Sequence, residues 1–520
     1  MKILPYGPRA LLVQYADRAD EAAFRWGRQI ESSWTAEFGA RSASCLPGLT
    51  SLVWVGSPEM LQEVRDWLAA RRWEGLREES EPERVVEVPT QYAGPDLERV
   101  AAQAGLPIRE VIERHAAPLY RVHCLGFSPG FPYLGGMDPR LTTPRLASPR
   151  IRVEAGSVAI GGTQTGIYSV AGPGGWNLIG QTSVHLFRPQ AASVGESVLL
   201  CPGDRLRFIP VDRLAAGVAA GLHQISHPIG VEAGGVEILS TGVGLTVQDA
   251  GRPGLSRYGI PPGGAMDPGA ARWANRLVGN PEEAPVLELC LQGQRLRVLR
   301  DLWLGLTGAS PGIPGHGSGW SAFRVRAGEV LEFRPGPAGV WSYLAVPGGW
   351  EVERALGSAS TLAKAGLGTV PRPGLRLGVV PRTCPSIPDS TAARRVHASE
   401  IPSYQDPIRV RIWPGPQWES FTPEDRAAFT RVDWTVSPQS DRSGYRLSGP
   451  VLTPDPAEIL SEPVLPGSIQ VPAGGQPIVT MPDGPTVGGY PKIAVVDPAD
   501  LWAVAQCRPG RSLRFVMAKR

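Results

Sequence analysis

Four landmarks in one stretch of the chain return, in the same order, near its C-terminus. Gly156-Ser157-Val158-Ala159-Ile160 has a counterpart in Gly467-Ser468-Ile469-Gln470-Val471, and Gln164 in Gln476. Gly174-Gly175-Trp176 is matched by Gly488-Gly489-Tyr490, and Pro202-Gly203-Asp204-Arg205-Leu206-Arg207-Phe208 by Pro509-Gly510-Arg511-Ser512-Leu513-Arg514-Phe515. Chance does not readily order four landmarks twice, and a repeat of this length is a duplicated domain rather than a solenoid. Alternating apolar residues, such as Val122 and Cys124 or Val158 and Ile160, mark short strands, with Gly and Pro clusters turning the chain between them. The fold class that follows is mainly β with α+β elements: two related barrels with polar, Gly-lined mouths. Ala327–Phe333 followed by Gly348-Gly349-Trp350 reuses the same vocabulary in another order, as a permuted relative or by coincidence.

Around the barrels the chain divides by pattern. A small α/β domain occupies 1–82, with strands in ALLVQYA and SLVWVG and amphipathic helices in EAAFRWGRQIESSW and PEMLQEVRDWLAARRW. The first barrel spans 83–212, with two helices near its start. Residues 213–235 form a linker, 236–382 a separate subdomain, 383–407 a second linker and 408–520 the second barrel. In the subdomain, Asp267-Pro268 caps a helix carrying Ala271, Ala274 and Leu277. Gly 63 and Pro 53 are spread through patterned segments, which favours many short strands over disorder.

Several function classes find no support. A net charge of +3 makes no case for nucleic acid, and no run of 18 apolar residues predicts a membrane span. The six cysteines form no C-x-x-C pair, so neither a metal nor a disulfide framework is expected, and the location expected is cytoplasmic. His223 and His227 lack the Glu of a zinc motif, since Gln224 stands there. Gly126-Phe127-Ser128-Pro129-Gly130 and Gly308-Ala309-Ser310-Pro311-Gly312 spell G-x-S-x-G, but Pro after Ser has no N–H for an oxyanion. There is no G-x-x-x-x-G-K-[ST] phosphate loop and no segment of the kind that carries biotin. Any anionic partner must be met by Gly-rich backbone and arginines.

The longer motifs resemble known families. FSPGFPYLGGMDPRL, GSVAIGGTQTGIY and PGGWNLIGQT are similar to the allophanate hydrolase subunit 1 family, which includes the B component of 5-oxoprolinase and the Kip-type inhibitor of a sporulation kinase. GLTVQDAGRPGLSRYGIPPGGAMD, SPQSDRSGYRLSGP and QPIVTMPDGPTVGGYPKIAVV are similar to the subunit 2 family, which includes the C component of 5-oxoprolinase, the Kip antagonist and the carboxyltransferase region of urea carboxylase. The resemblance covers nearly the whole chain and implies a B–C fusion with cyclophilin-like barrels. It also implies ATP with Mg as co-substrate, a small-molecule substrate and a separate 5-oxoprolinase A component of the LamB/YcsF type. Alternatives within the same families are carboxyl transfer from biotin carried by another protein, and regulation of a histidine kinase. A homo-oligomer is compatible with each.

Polar residues inside these motifs are the site candidates. His123 is a candidate acid or base, or a hydrogen-bonded strand histidine. Gln164 and Gln476, at equivalent repeat positions, are candidates to present amides to a carbonyl, and Gly161 and Gly162 to offer backbone N–H groups. Asp441, Arg442, Tyr445 and Arg446 cluster in SPQSDRSGYRL, where a guanidinium suits a carboxylate or phosphate. Lys492 stands out because only four of the 52 basic residues are Lys; its alternatives are an anion clamp and an edge-strand surface residue. Asp249, Arg252 and Asp267 read equally as turn and cap residues. Each half offers an incomplete set, so His123 and the Asp441–Tyr445 turn are expected in one composite cleft.

Overall fold

The computed structural model describes residues 1–39, 44–71, 73, 84–146, 150–214, 234–309, 311–316, 319–381, 394–405 and 408–519. The two expected linkers fall partly outside these residues, and His223, His227 and Ser310 wholly so.

Strands Lys2–Pro5, Ala10–Gln14, Ser51–Val55 and Ser44–Pro47 form an antiparallel sheet in that spatial order. Helices Glu21–Phe38 and Pro58–Ala69 start where Asp20 and Ser57 accept backbone N–H groups of Ala23 and Met60. Residues of Ala10–Gln14 alternate in destination. Leu11 and Val13 enter a core with Trp34, Trp54 and Trp67. Ala10 and Leu12 enter another with Tyr6 and Val495, the last from the far end of the chain. A strand buried on both faces reads as an unbroken apolar run. That is why ALLVQ carries no polar alternation.

The duplication is visible in strand order. The first barrel uses Val85–Thr90, Tyr120–Leu125, Pro132–Gly135, Ser157–Gly161, Gln164–Ile167, Asn177–Gln181 and Arg205–Pro210. The second uses Ile408–Pro414, Trp434–Val436, Gly444–Ser448, Ser468–Gln470, Ile478–Thr480, Lys492–Val496 and Ser512–Met517. Counted in chain order within each barrel, the neighbours run sixth, fourth, fifth, third, second, seventh, first in both. In each, the first and seventh strands pair in parallel. The second ring closes through the pair Ile408–Pro414 and Lys492–Val496, and the first through a bridge between Gln91 and Gln181. Register confirms the Gln164–Gln476 equivalence: Ala159 opposes Gly166, and its counterpart Gln470 opposes Ile478, two residues past each Gln.

Between the barrels, two five-stranded antiparallel sheets pack over Val236, Leu287, Leu304 and Leu344. Helix Pro268–Leu277, capped by Asp267 as its sequence predicts, covers one of them and joins the core of the second barrel. The described strands here include no parallel pair, whereas a permuted copy of either barrel would keep one. The echo at 327–350 is therefore local. Ile260, Leu362 and Leu367 of this unit also enter the first barrel's core.

Candidate active site

A cavity of about 370 Å³ lies where the two barrels meet. One wall is the turn between Tyr120–Leu125 and Pro132–Gly135, which interlocks with the second half. Leu125 bridges to Tyr258, and Gly130 donates its N–H to the Tyr258 carbonyl at 2.9 Å. A Cβ on Gly126 would lie 2.2 Å from Val487 Cγ2, so only Gly permits this approach. The next residue, Phe127, adopts φ +63°, a strained conformation of the kind that persists where surrounding structure holds it. Phe131 sits among Phe127, Tyr133, Tyr168 and Trp176 at ring separations of 5.1–5.5 Å. This gives the cavity an aromatic floor that sheds water.

The opposite wall carries charge. The Asp441 carboxylate accepts the N–H groups of Ser443 and Gly444 and so shapes the 439–446 turn. Lys364 Nζ donates to Ser443 Oγ at 2.8 Å and to the Asp483 carbonyl at 3.0 Å, while Arg446 lines the same wall. Arg145, from the first half, reaches across to Glu458 at 3.4 Å and lies 5.9 Å over the Tyr490 ring. Three cations from both halves thus converge beside an aromatic surface, an arrangement suited to holding an anionic group in a low-dielectric site. The segments FSPGFPY, AGPGGW, QSDRSGYR and MPDGPTVGGY all contribute to the lining.

Sequence-predicted residues divide among different places. Asp441 and Arg446 line the cavity. Arg442 lies beneath it: its guanidinium grips Asp483 in bidentate fashion at 2.7 and 3.0 Å and also pairs with buried Glu288. The carboxylate it was expected to recognise is the protein's own. Tyr445 is in the core, donating to the Ala505 carbonyl at 2.6 Å and accepting from Trp341. Lys492 is fully buried and pairs with Glu462 at 2.6 Å, so it is neither an exposed clamp nor a surface residue. Gln476 spends its carboxamide on the N–H and C=O of Gly449. Gly161 makes room for the Trp176 indole, and Gly162, at φ +62°, pairs with Thr143; neither lines the cavity. Asp249 is taken up by Ser358, Ser360 and backbone N–H groups, and Arg252 is buried with one bond to the Ser360 carbonyl.

His123 and Gln164 lie elsewhere, on a second cavity of about 840 Å³ between the first barrel and the N-terminal domain. The expected cleft joining His123 to the Asp441–Tyr445 turn is therefore not formed. The composite cavity that exists draws on other residues. Arg145, Lys364, Tyr133 and Tyr490 were missed, although the scarcity of Lys was a usable signal for Lys364.

The carboxyltransferase domain, subdomain A and B, matches residues 258–517, and the carboxyltransferase domain, subdomain C and D, matches residues 1–195. The C subunit of 5-oxoprolinase from Escherichia coli (strain K12) is 40% identical over 287 residues, 54% of this chain and 90% of that protein. The B subunit of 5-oxoprolinase from Escherichia coli O157:H7 is 48% identical over 170 residues, 32% of this chain and 76% of that protein. Urea amidolyase of Lachancea kluyveri is 32% identical over 307 residues, 54% of this chain but 17% of that protein. The crystal structure of TTHA0988 superposes with a TM-score of 0.82 at 34% identity, covering 98% of this chain and 100% of the other. The chain belongs to the carboxyltransferase-domain family of the 5-oxoprolinase B and C subunits, and carries a B-like and a C-like part, in that order, in one polypeptide.

Proposed function

We propose that this protein is the B–C component of a cytoplasmic, ATP-dependent 5-oxoprolinase, with the seam cavity as its reaction site. The observation that supports this most is that motif segments from both halves build one cavity with an aromatic floor and three cations. Lactam carbonyls are unreactive, and transfer of a phosphoryl group from ATP to the lactam oxygen makes the ring carbon open to water. Arg145, Lys364 and Arg446 would hold the phosphate oxygens, with Mg accompanying ATP, and the aromatic floor would exclude bulk water. Ring opening to glutamate would be completed with a separate A component.

The matching family description and the urea amidolyase relative favour one second reading, carboxyl transfer from biotin carried by another protein, in the same cavity. The two readings separate in one assay. With an A component, ATP and 5-oxoproline, the purified protein should release glutamate and phosphate. Arg145→Ala and Lys364→Ala should each lower that rate by about a hundredfold, the usual scale for a charge-stabilising group, with little change in melting temperature. Full turnover without the A component, or carboxylation of urea by carboxybiotin with no lactamase activity, would overturn the proposal.

A further inference from the structure

Arg145 is the cation that the first half lends to the seam cavity, and the two halves hold different parts of it. The first half fixes the backbone. Asn177 Nδ2 donates to the Pro144 carbonyl at 3.0 Å, and Leu146 donates its N–H to the Gly175 carbonyl at 2.7 Å. The second half meets the guanidinium. Nη2 donates to Ser461 Oγ at 3.5 Å, Nη1 lies 3.4 Å from Glu458, and the Tyr490 ring lies 5.9 Å away. Against the guanidinium lies Gly489. A Cβ built there would stand 2.6 Å from Nη2 and 2.8 Å from Nη1, too close for either to stay. The other near atom is the Ile459 carbonyl oxygen, at 3.0 Å. Gly489 is not among the glycines at positive φ, so room for the arginine accounts for it better than backbone strain does.

Gly175 and Gly489 are equivalent positions of the duplication, in Gly174-Gly175-Trp176 and Gly488-Gly489-Tyr490. The two copies of this landmark thus meet at neighbouring residues. One grips position 146 by its carbonyl, and the other admits the side chain of 145 by having none of its own. Trp176 and Tyr490, the next residue in each copy, both line the cavity. Glu458 does not explain the placement, because its side chain is 45% exposed and solvent leaves such an ion pair worth little. A guanidinium is flat and binds anions through a fixed fork of donors, so where it lies decides what it can hold.

We propose that Gly489 is a positioning residue of the seam cavity, seating the Arg145 guanidinium for the anionic group received there. This rests on the reading that Arg145 binds phosphate in the seam. The test measures kcat, KM for ATP and melting temperature with the A component and 5-oxoproline. The proteins compared are wild type, Gly489→Ala, Arg145→Ala and the double variant. Gly489→Ala pushes the guanidinium aside and should raise KM for ATP at least tenfold. Added to Arg145→Ala, it should change KM less than twofold further, since the group it displaces is gone. Effects that multiply in full, or a fall in kcat with KM unchanged, would mean general damage and overturn the inference. A Gly489→Ala protein equal to wild type, with Arg145→Ala impaired, overturns it too. An inactive wild type, or wild-type turnover by Arg145→Ala, instead overturns the phosphate reading of the seam and takes the inference with it. Should Gly489→Ala not fold, Arg145→Lys decides. It keeps the charge but loses the flat fork that the seat receives, so KM should again rise at least tenfold, and a wild-type KM would overturn the inference.

Discussion

Burial governs the chemistry of His123. Its ring is 4% exposed and packs 5.5 Å from Phe24, and desolvation takes it to about 4, with a hydrogen bond to the Leu49 backbone offsetting part of the shift. His115, held by Tyr92 and Thr165, goes to about 3 for the same reason. In the unfolded chain both take a proton below about 6.5; in the folded chain they stay neutral until far lower pH. Their stabilising contribution is therefore complete above pH 6.5 and erodes as pH falls towards 4. His123→Gln should narrow the stability difference between pH 7 and pH 5 by about 2 kcal/mol, read from urea midpoints at the two pH values. Residue types were legible in the sequence, but their partners were not. Arg442 suits a carboxylate, and Lys492 stands out by rarity, yet Asp483 meets the first from a distant turn and Glu462 the second from a separate short strand.

At the scale of elements, the turn at 126–131 is what couples the halves. Gly126 lies against Val487, and the Cβ of any residue at position 259 would come 2.2 Å from the Ser128 carbonyl. Gly126→Ala should destabilise the protein by about 1–3 kcal/mol through overpacking and lower seam-cavity activity with it, measured by denaturant unfolding alongside turnover. Gly-rich turns read as places for a ligand to approach backbone. Here much of that room is taken by the protein itself, by Val487 at Gly126 and by Trp176 at Gly161. Helix starts were easier, because an N-cap side chain acts within three residues. Asp267 accepting the Ala270 N–H is one instance, and local sequence holds that information.

For the molecule as a whole, the two parts share cores. Val495 packs under the N-terminal sheet, Ile260 and Leu367 enter the first barrel, and Arg257 pairs with Glu31 at 2.8 Å. A chain cut at a protease site placed within 215–233 should therefore remain one particle, its two fragments co-eluting on gel filtration; separate elution would mean these contacts are weak. The duplication was legible because two of its landmarks open on a turn glycine at positive φ, Gly156 and Gly203 in one barrel and Gly467 and Gly510 in the other, followed within two residues by an apolar strand, a junction where backbone geometry limits the choice of residue. The seam was not, since contacts between distant segments leave no periodicity. The ring order has one more consequence. In both barrels the first and last strands lie side by side and run the same way, Val85–Thr90 with Arg205–Pro210 and Ile408–Pro414 with Ser512–Met517. Tension on the two ends of either barrel slides these strands lengthwise and loads the bonds between them together, instead of peeling them one at a time. Each ring is thus fastened by a clasp that resists pulling best along the direction of its own chain.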